Sequence, residues 1–163
     1  MQKNAKWIDA LNRLVRINYE RVYGYEKAIQ DIDHADEDLV TIFNHNASQS
    51  RINVHELRQI IHYLGGKPIM DPTTRGKLLR IWMDFKDALI SKDRKVVLDA
   101  CEARELAVQY AYDEVLSNNV LFPNSIRLDI IRQKRLLRNA LMMDFALRLF
   151  IPNPPAMGCG AMQ

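Results

Sequence analysis

Long apolar runs are missing from this chain: nowhere do hydrophobic residues approach the ~20 in succession that a bilayer-spanning helix needs. Glycine is scarce, with six residues, aromatics make up 8%, and the Val, Ile and Thr runs that strands favour are rare. Only two cysteines are present, too few for a disulfide framework. Cys101 reads as a buried thiol, and Cys159 belongs to a Pro/Gly-rich tail, which suits a reduced, cytoplasmic setting. Four residues follow Cys159, one too many for a prenylation signal. Excess charge of one sign is also lacking. Against 23 Lys and Arg stand 20 Asp and Glu, and a net +3 argues neither for nucleic acid nor for an acidic membrane surface. The opening MQKNAKWIDALNRL carries charges every few residues, unlike a signal peptide. Nucleophile triads, Gly-rich phosphate loops and Cys/His metal spacings are absent too, so hydrolase, kinase and dehydrogenase chemistry has no support and an enzyme is not the expectation.

What the chain does have is helical periodicity. With 48% hydrophobic residues in 163, it is long enough for one domain with an ordinary core. Trp7, Leu11, Leu14, Val15, Val22, Tyr25 and Ile29 recur at helical spacing and predict a first helix over about 3–33. A second opens at Asp36-Glu37-Asp38, where carboxylates favour the positive end of the helix dipole, and stops at Gly65-Gly66. A shorter helix is expected over 73–90, a third long one from Ser91 or Asp93 to about 118, and a fourth from the Pro123-Asn124-Ser125 turn to Phe150. Short linkers make the first two and the last two antiparallel hairpins. The connection between the second and third holds a ~18-residue helix, long enough to travel back along the others. The expected fold is therefore all-α: a ferritin-like four-helix bundle over residues 1–151 with a helical crossover between the second and third long helices. Residues 152–163, with three prolines and two glycines, form a flexible tail.

The stretch VVLDACEARELAVQYAYDEVL, residues 97–117, aims Glu102, Glu105 and Gln109 into the same stripe as Leu98, Cys101, Val108 and Tyr112. Asn18 and Glu26 on the first helix, and Asn46, Gln49, Ser50 and Asn53 on the second, also face the apolar side or its margin. Gln133 and Asp144 do so on the fourth. Counting ~1.5 Å per residue from the first hairpin turn puts Glu26 about 10 Å down, Glu102 about 14 Å and Glu105 about 18 Å. Asn46 and Gln49 fall in the same slab, and Glu56, near 30 Å, lies below it. A polar layer is thus expected to cross the interior.

Two uses of that layer stand. In one it is structural: Asn18, Asn46, Gln49 and Gln109 satisfy the carboxylates, and Arg21 supplies the opposite charge. In the other, Glu26, Glu102 and Glu105 hold iron or manganese through oxygen ligands. Ferritin-like sites usually include Glu-x-x-His pairs, and none occurs here; His45, His55 and His62 lie off the stripe. That absence favours the structural use and no cofactor.

Ile17-Asn18, Gly24-Tyr25-Glu26-Lys27-Ala28, Gln49-Ser50, Glu56-Leu57 and Gly65-Gly66-Lys67-Pro68, followed by Gly76-Lys77, Trp82-Met83-Asp84, Asp93-Arg94, Cys101-Glu102 and Glu105, carry a resemblance. Over residues 7–118 the chain resembles an uncharacterised bacterial ferritin-like four-helix-bundle family, a domain of unknown function. The resemblance implies a ferritin-like bundle in a soluble bacterial protein and no particular activity. Members of that family often have a histidine midway along the last helix, where this chain has Asn139-Ala140-Leu141. The expected role is non-catalytic, structural, interactive or stress-related. The all-round apolar stretch LMMDFALRLFI, 141–151, marks either a homodimer contact or burial under the crossover. Neither nucleic acid nor membrane is an expected partner.

Overall fold

The computed structural model describes residues 2–32, 36–70, 86–91, 93–117 and 121–149, and among these it is helical with no strand. The long helices are α1 (Gln2–Asp31), α2 (Glu37–Tyr63), α3 (Arg94–Ser117) and α4 (Asn124–Leu149). All-α was the expected class, and each long helix falls where its apolar spacing predicted. Of the expected crossover helix, 71–85 lies outside the described residues; 86–90 is helical, with Ala88 and Leu89 buried. The His34-Ala35 linker and the 152–163 tail also lie outside them. Among the described residues no helix is long and apolar enough to cross a membrane.

Side-chain bonds give the helix directions. Between α1 and α3, Asn18 pairs with Tyr112 and Arg21 with Glu105, while Arg13 meets Glu114 nearer the start of α1. As one number rises the other falls, so the two helices are antiparallel. The Asn18–Asn53 and Glu26–Arg51 pairs give the same sense to α1 and α2, and Leu116–Arg127 and Asp113–Lys134 to α3 and α4. Consequently α2 and α3 run parallel. The end of α2 lies by the start of α1, where Asn12 accepts a bond from the Ile69 amide and donates to the Lys67 carbonyl. The start of α3 lies by the start of α2, where Arg94 pairs with Asp36 and Asp38.

Local chemistry sets the helix ends. Gly65 adopts φ 77°; its amide bonds the His62 carbonyl, and the Gly66 amide bonds that of Ile61, a Schellman closure that a side chain at Gly65 would strain. Asp93 accepts from the Lys95 amide and caps α3. Asp36 was expected to favour its own helix start; its carboxylate instead turns to Arg94 and makes no cap bond.

The core is in two parts. One apolar cluster gathers Leu11, Leu14, Leu57, Ile61, Val115, Ile126 and Ile130. The other gathers Ala28, Leu39, Phe43, Leu89, Val97, Leu98 and Cys101. Every long helix also buries polar residues: Asn18 and Arg21 on α1, Asn46, Ser50 and Asn53 on α2, Glu105 and Gln109 on α3, and Gln133 on α4; on α1 they fall between the residues of the two clusters in sequence.

Candidate functional site

Helical spacing brings the polar layer together. Asn18, Arg21 and Tyr25 stand one turn apart on α1 and point the same way, as do Asn46, Ser50 and Asn53 on α2. Glu105 enters from α3 between Leu98 and Tyr112, both fully buried.

The charged centre is Arg21 and Glu105, whose side chains are 2% and 1% exposed. Arg21 Nε donates to Glu105 Oε1 at 2.7 Å, and the Tyr25 hydroxyl donates to the same oxygen at 2.5 Å. Arg21 Nη1 bridges to α2, donating to the Asn46 carbonyl at 2.7 Å and to Ser50 Oγ at 2.8 Å. Its guanidinium carbon stands 5.2 Å from the centroid of the Tyr25 ring. Burial opposes the positive charge, but the Glu105 carboxylate outweighs it and holds the Arg21 pKa above the usual guanidinium value. One helix therefore supplies a cation, a second the anion and a third neutral acceptors.

A second tier, of amides and a phenol that lead to an ion pair, adjoins it. Asn18 Nδ2 donates to the Leu14 carbonyl at 2.9 Å and to the Tyr112 hydroxyl at 2.8 Å. Asn53 donates to Asn18 Oδ1 and accepts from Gln49. The Tyr112 hydroxyl donates to Gln133 Oε1 at 3.1 Å, and Gln133 Nε2 passes the chain to Glu56 at 2.8 Å. Arg132 closes the path on the same Glu56 oxygen at 2.9 Å. Burial pushes the Tyr112 phenol well above its ordinary pKa, so it stays protonated and keeps donating. Glu56, expected to lie too far down to join Glu26, Glu102 and Glu105, belongs instead to this second tier, where Gln133 reaches it from α4.

The three carboxylates of the metal hypothesis have different surroundings. Glu105 is buried and tied to Arg21 and Tyr25. Glu26 is half-buried and ion-paired to Arg51. Glu102, expected on the core stripe, is half-buried too, because the stripe of α3 turns through Leu98, Cys101 and Glu105 and leaves residue 102 at its margin. Among the described residues no group of three or more His, Cys, Asp and Glu is placed to hold a metal ion. Asn46 and Gln109 are buried and Gln49 half-buried; Gln109 donates to the Lys134 carbonyl rather than to a carboxylate. Chemically the layer is a buried ion pair flanked by amides.

Arg21 and Gln133 were anticipated from their stripes. Tyr25 and Tyr112 were expected on the apolar stripes, but their hydrogen-bond partners were not, because helical spacing reports where a residue faces and not where its hydroxyl ends. The Arg132–Glu56 pair left no sequence signal, since it joins residues of separate hairpins.

Residues 6–118 match the model of a family described as a domain of unknown function (DUF2383), nearly the span over which the motifs resemble a family of that kind. No curated protein and no solved structure matches the chain.

Proposed function

We propose a role for this chain, which belongs to the DUF2383 family and takes no activity from the family's description: a ferritin-like four-helix bundle with a crossover between α2 and α3, working as a non-catalytic structural or interaction protein in the bacterial cytoplasm. The antiparallel α1–α2, α1–α3 and α3–α4 pairings, with α2 and α3 parallel, support the ferritin-like topology. The Arg21–Glu105 pair carries the non-catalytic reading. Where a ferritin-like metal centre gathers carboxylates around a cation, the cation here is a guanidinium already paired with the buried carboxylate. Iron or manganese on Glu26, Glu102 and Glu105 would have to displace Arg21 from one carboxylate and Arg51 from another. That donor set fits a metal poorly.

Interaction, on this proposal, is with a second copy through the 141–151 end. Met142 and Met143 are 57% and 51% exposed, and Leu128 and Leu136 add apolar surface to the same helix. Homodimers are the commonest soluble assemblies. Elemental analysis of protein purified without chelator tests the first half: less than about 0.1 equivalent of iron and manganese is expected under the tight-binding regime of a real site, and stoichiometric metal overturns it. Sedimentation velocity at micromolar concentration tests the second, with a dimer expected and a monomer overturning it.

A further inference from the structure

On the outward side of the α3–α4 hairpin, large apolar side chains and cations without carboxylate partners share one face. Leu106 is 49% exposed and Tyr110 71%, and a spacing of four residues puts them on one edge of α3. Asp113 reaches across the seam to Lys134, and Gln109 to the Lys134 carbonyl, which fixes the level at which the two helices meet. Leu106 lies two turns before Asp113 and shares its α4-facing edge. Arg127 and Arg138, two turns before Lys134 and one turn after it, likewise share the α3-facing edge of α4. Because the helices are antiparallel, Arg138 stands level with Leu106, and Arg135 with Tyr110. Arg127, Arg135 and Arg138 are exposed, and among the described residues none of them meets a carboxylate; Arg127 donates to the Leu116 carbonyl. Their neighbours Arg132 and Lys134 are matched by Glu56 and Asp113. Six Arg and Lys stand on α4 against two Asp, so the chain's positive excess is gathered on this helix.

We propose that this face docks an amphipathic helix of a partner protein, its apolar side over Leu106 and Tyr110 and its flanking carboxylates on Arg127, Arg135 and Arg138. The proposal does not rest on the second-copy contact at 141–151. Exposed leucine and tyrosine four residues apart are the anchors that a helix laid in a shallow groove needs, and guanidiniums beside them select carboxylates on the visitor. From Arg127 to Arg138 the edge runs ~17 Å, about three turns of a docked helix. A second copy suits the face poorly, since a two-fold axis through it would set Arg135 and Arg138 against their own equivalents. Nucleic acid suits it poorly too, because the face centres on apolar side chains rather than on a track of cations.

The test uses the full chain and a fluorescein-labelled helical peptide of about 18 residues, with leucine at i, i+3, i+4 and i+7 spacing and glutamate between, read by polarisation. Saturable binding is expected, at least about tenfold tighter than for the same peptide with lysine in place of glutamate, and weaker as salt is raised. Arg135→Glu with Arg138→Glu should reverse that preference, so that the lysine peptide binds the more tightly. Leu106→Ser with Tyr110→Ser should weaken the glutamate peptide by about tenfold or more. All four positions are exposed, and circular dichroism should be unchanged. The proposal is overturned by no saturable binding, by equal binding of the two peptides, or by a preference that the charge reversal leaves in place. It is overturned as well if a single-stranded oligonucleotide binds these residues more tightly than the glutamate peptide. Sedimentation in which Leu106→Ser with Tyr110→Ser changes the oligomeric state would overturn it in favour of a contact between copies.

Discussion

Arg21 reaches two other helices from one position on α1, and the consequences of removing its partner follow from charge. Glu105→Gln leaves a guanidinium in an apolar interior with only neutral acceptors, a defect of about 3–5 kcal/mol in comparable buried pairs. Urea denaturation should show that loss, and the Arg21→Met/Glu105→Leu double variant should recover at least half of it, because no charge is then left buried. A double variant less stable than Glu105→Gln would mean that the pair is a net source of stability. Gly24 is a second residue with a legible job. A Cβ there would stand 2.1 Å from Arg104 Nη2, and the Arg104 guanidinium carbon lies 5.9 Å from the Tyr25 ring centroid. Gly24→Ala gains about 1 kcal/mol of helix propensity but evicts that side chain, so it should be near neutral alone. In an Arg104→Ala background the same substitution should stabilise by about 1 kcal/mol, the difference being the coupling that a double-mutant cycle in thermal melts reads out.

At the scale of elements, the ends of α2 are its sensitive points. Gly65→Ala forces a Cβ into the left-handed region and should cost about 1–2 kcal/mol by denaturant unfolding, whereas Lys67→Ala, one turn of chain away and exposed, should cost little. At the other end Asp38 bonds Arg94, and that bond first, then the charge of Arg94, holds the Asp38 carboxyl below its ordinary 3.8. A lowered folded-state pKa means that the contribution is present above the unfolded value and is lost as pH falls through the folded one. Thermal melts between pH 6 and pH 3 should therefore fall more steeply for the wild type than for Asp38→Asn, with the gap closing from about pH 4 downward. Equal slopes would place the acid sensitivity elsewhere. Because both partners are partly exposed, added salt should shrink the difference.

For the whole molecule, two apolar clusters lie either side of a polar layer, and the layer admits one register. Sliding α3 by a turn along α1 would set Glu105 opposite Asn18 or Tyr25 and leave Arg21 without its anion, which uniform apolar packing would not penalise so heavily. The homodimer proposed above rests on surface chemistry instead. Met142→Glu with Met143→Glu adds charge to the exposed end of α4 and should convert a dimer to monomers in sedimentation while leaving helix content by circular dichroism unchanged. Dimers that survive both charges would move the interface off this helix.

The order and approximate length of the four long helices were determined by the sequence alone, since a 3.6-residue apolar period needs no knowledge of a partner. The same period marked Asn18, Asn46, Ser50, Asn53, Glu105, Gln109 and Gln133 as inward-facing. What only the tertiary structure decided is who meets whom. Glu26 went to Arg51 at the surface, Glu102 to the margin, Glu56 into the network, and Glu105 to Arg21 and Tyr25. Those outcomes depend on the relative rotation and axial shift of helices far apart in the chain, where a few ångströms separate a metal-like cluster of acids from a closed ion pair, and a local pattern carries no information at that precision.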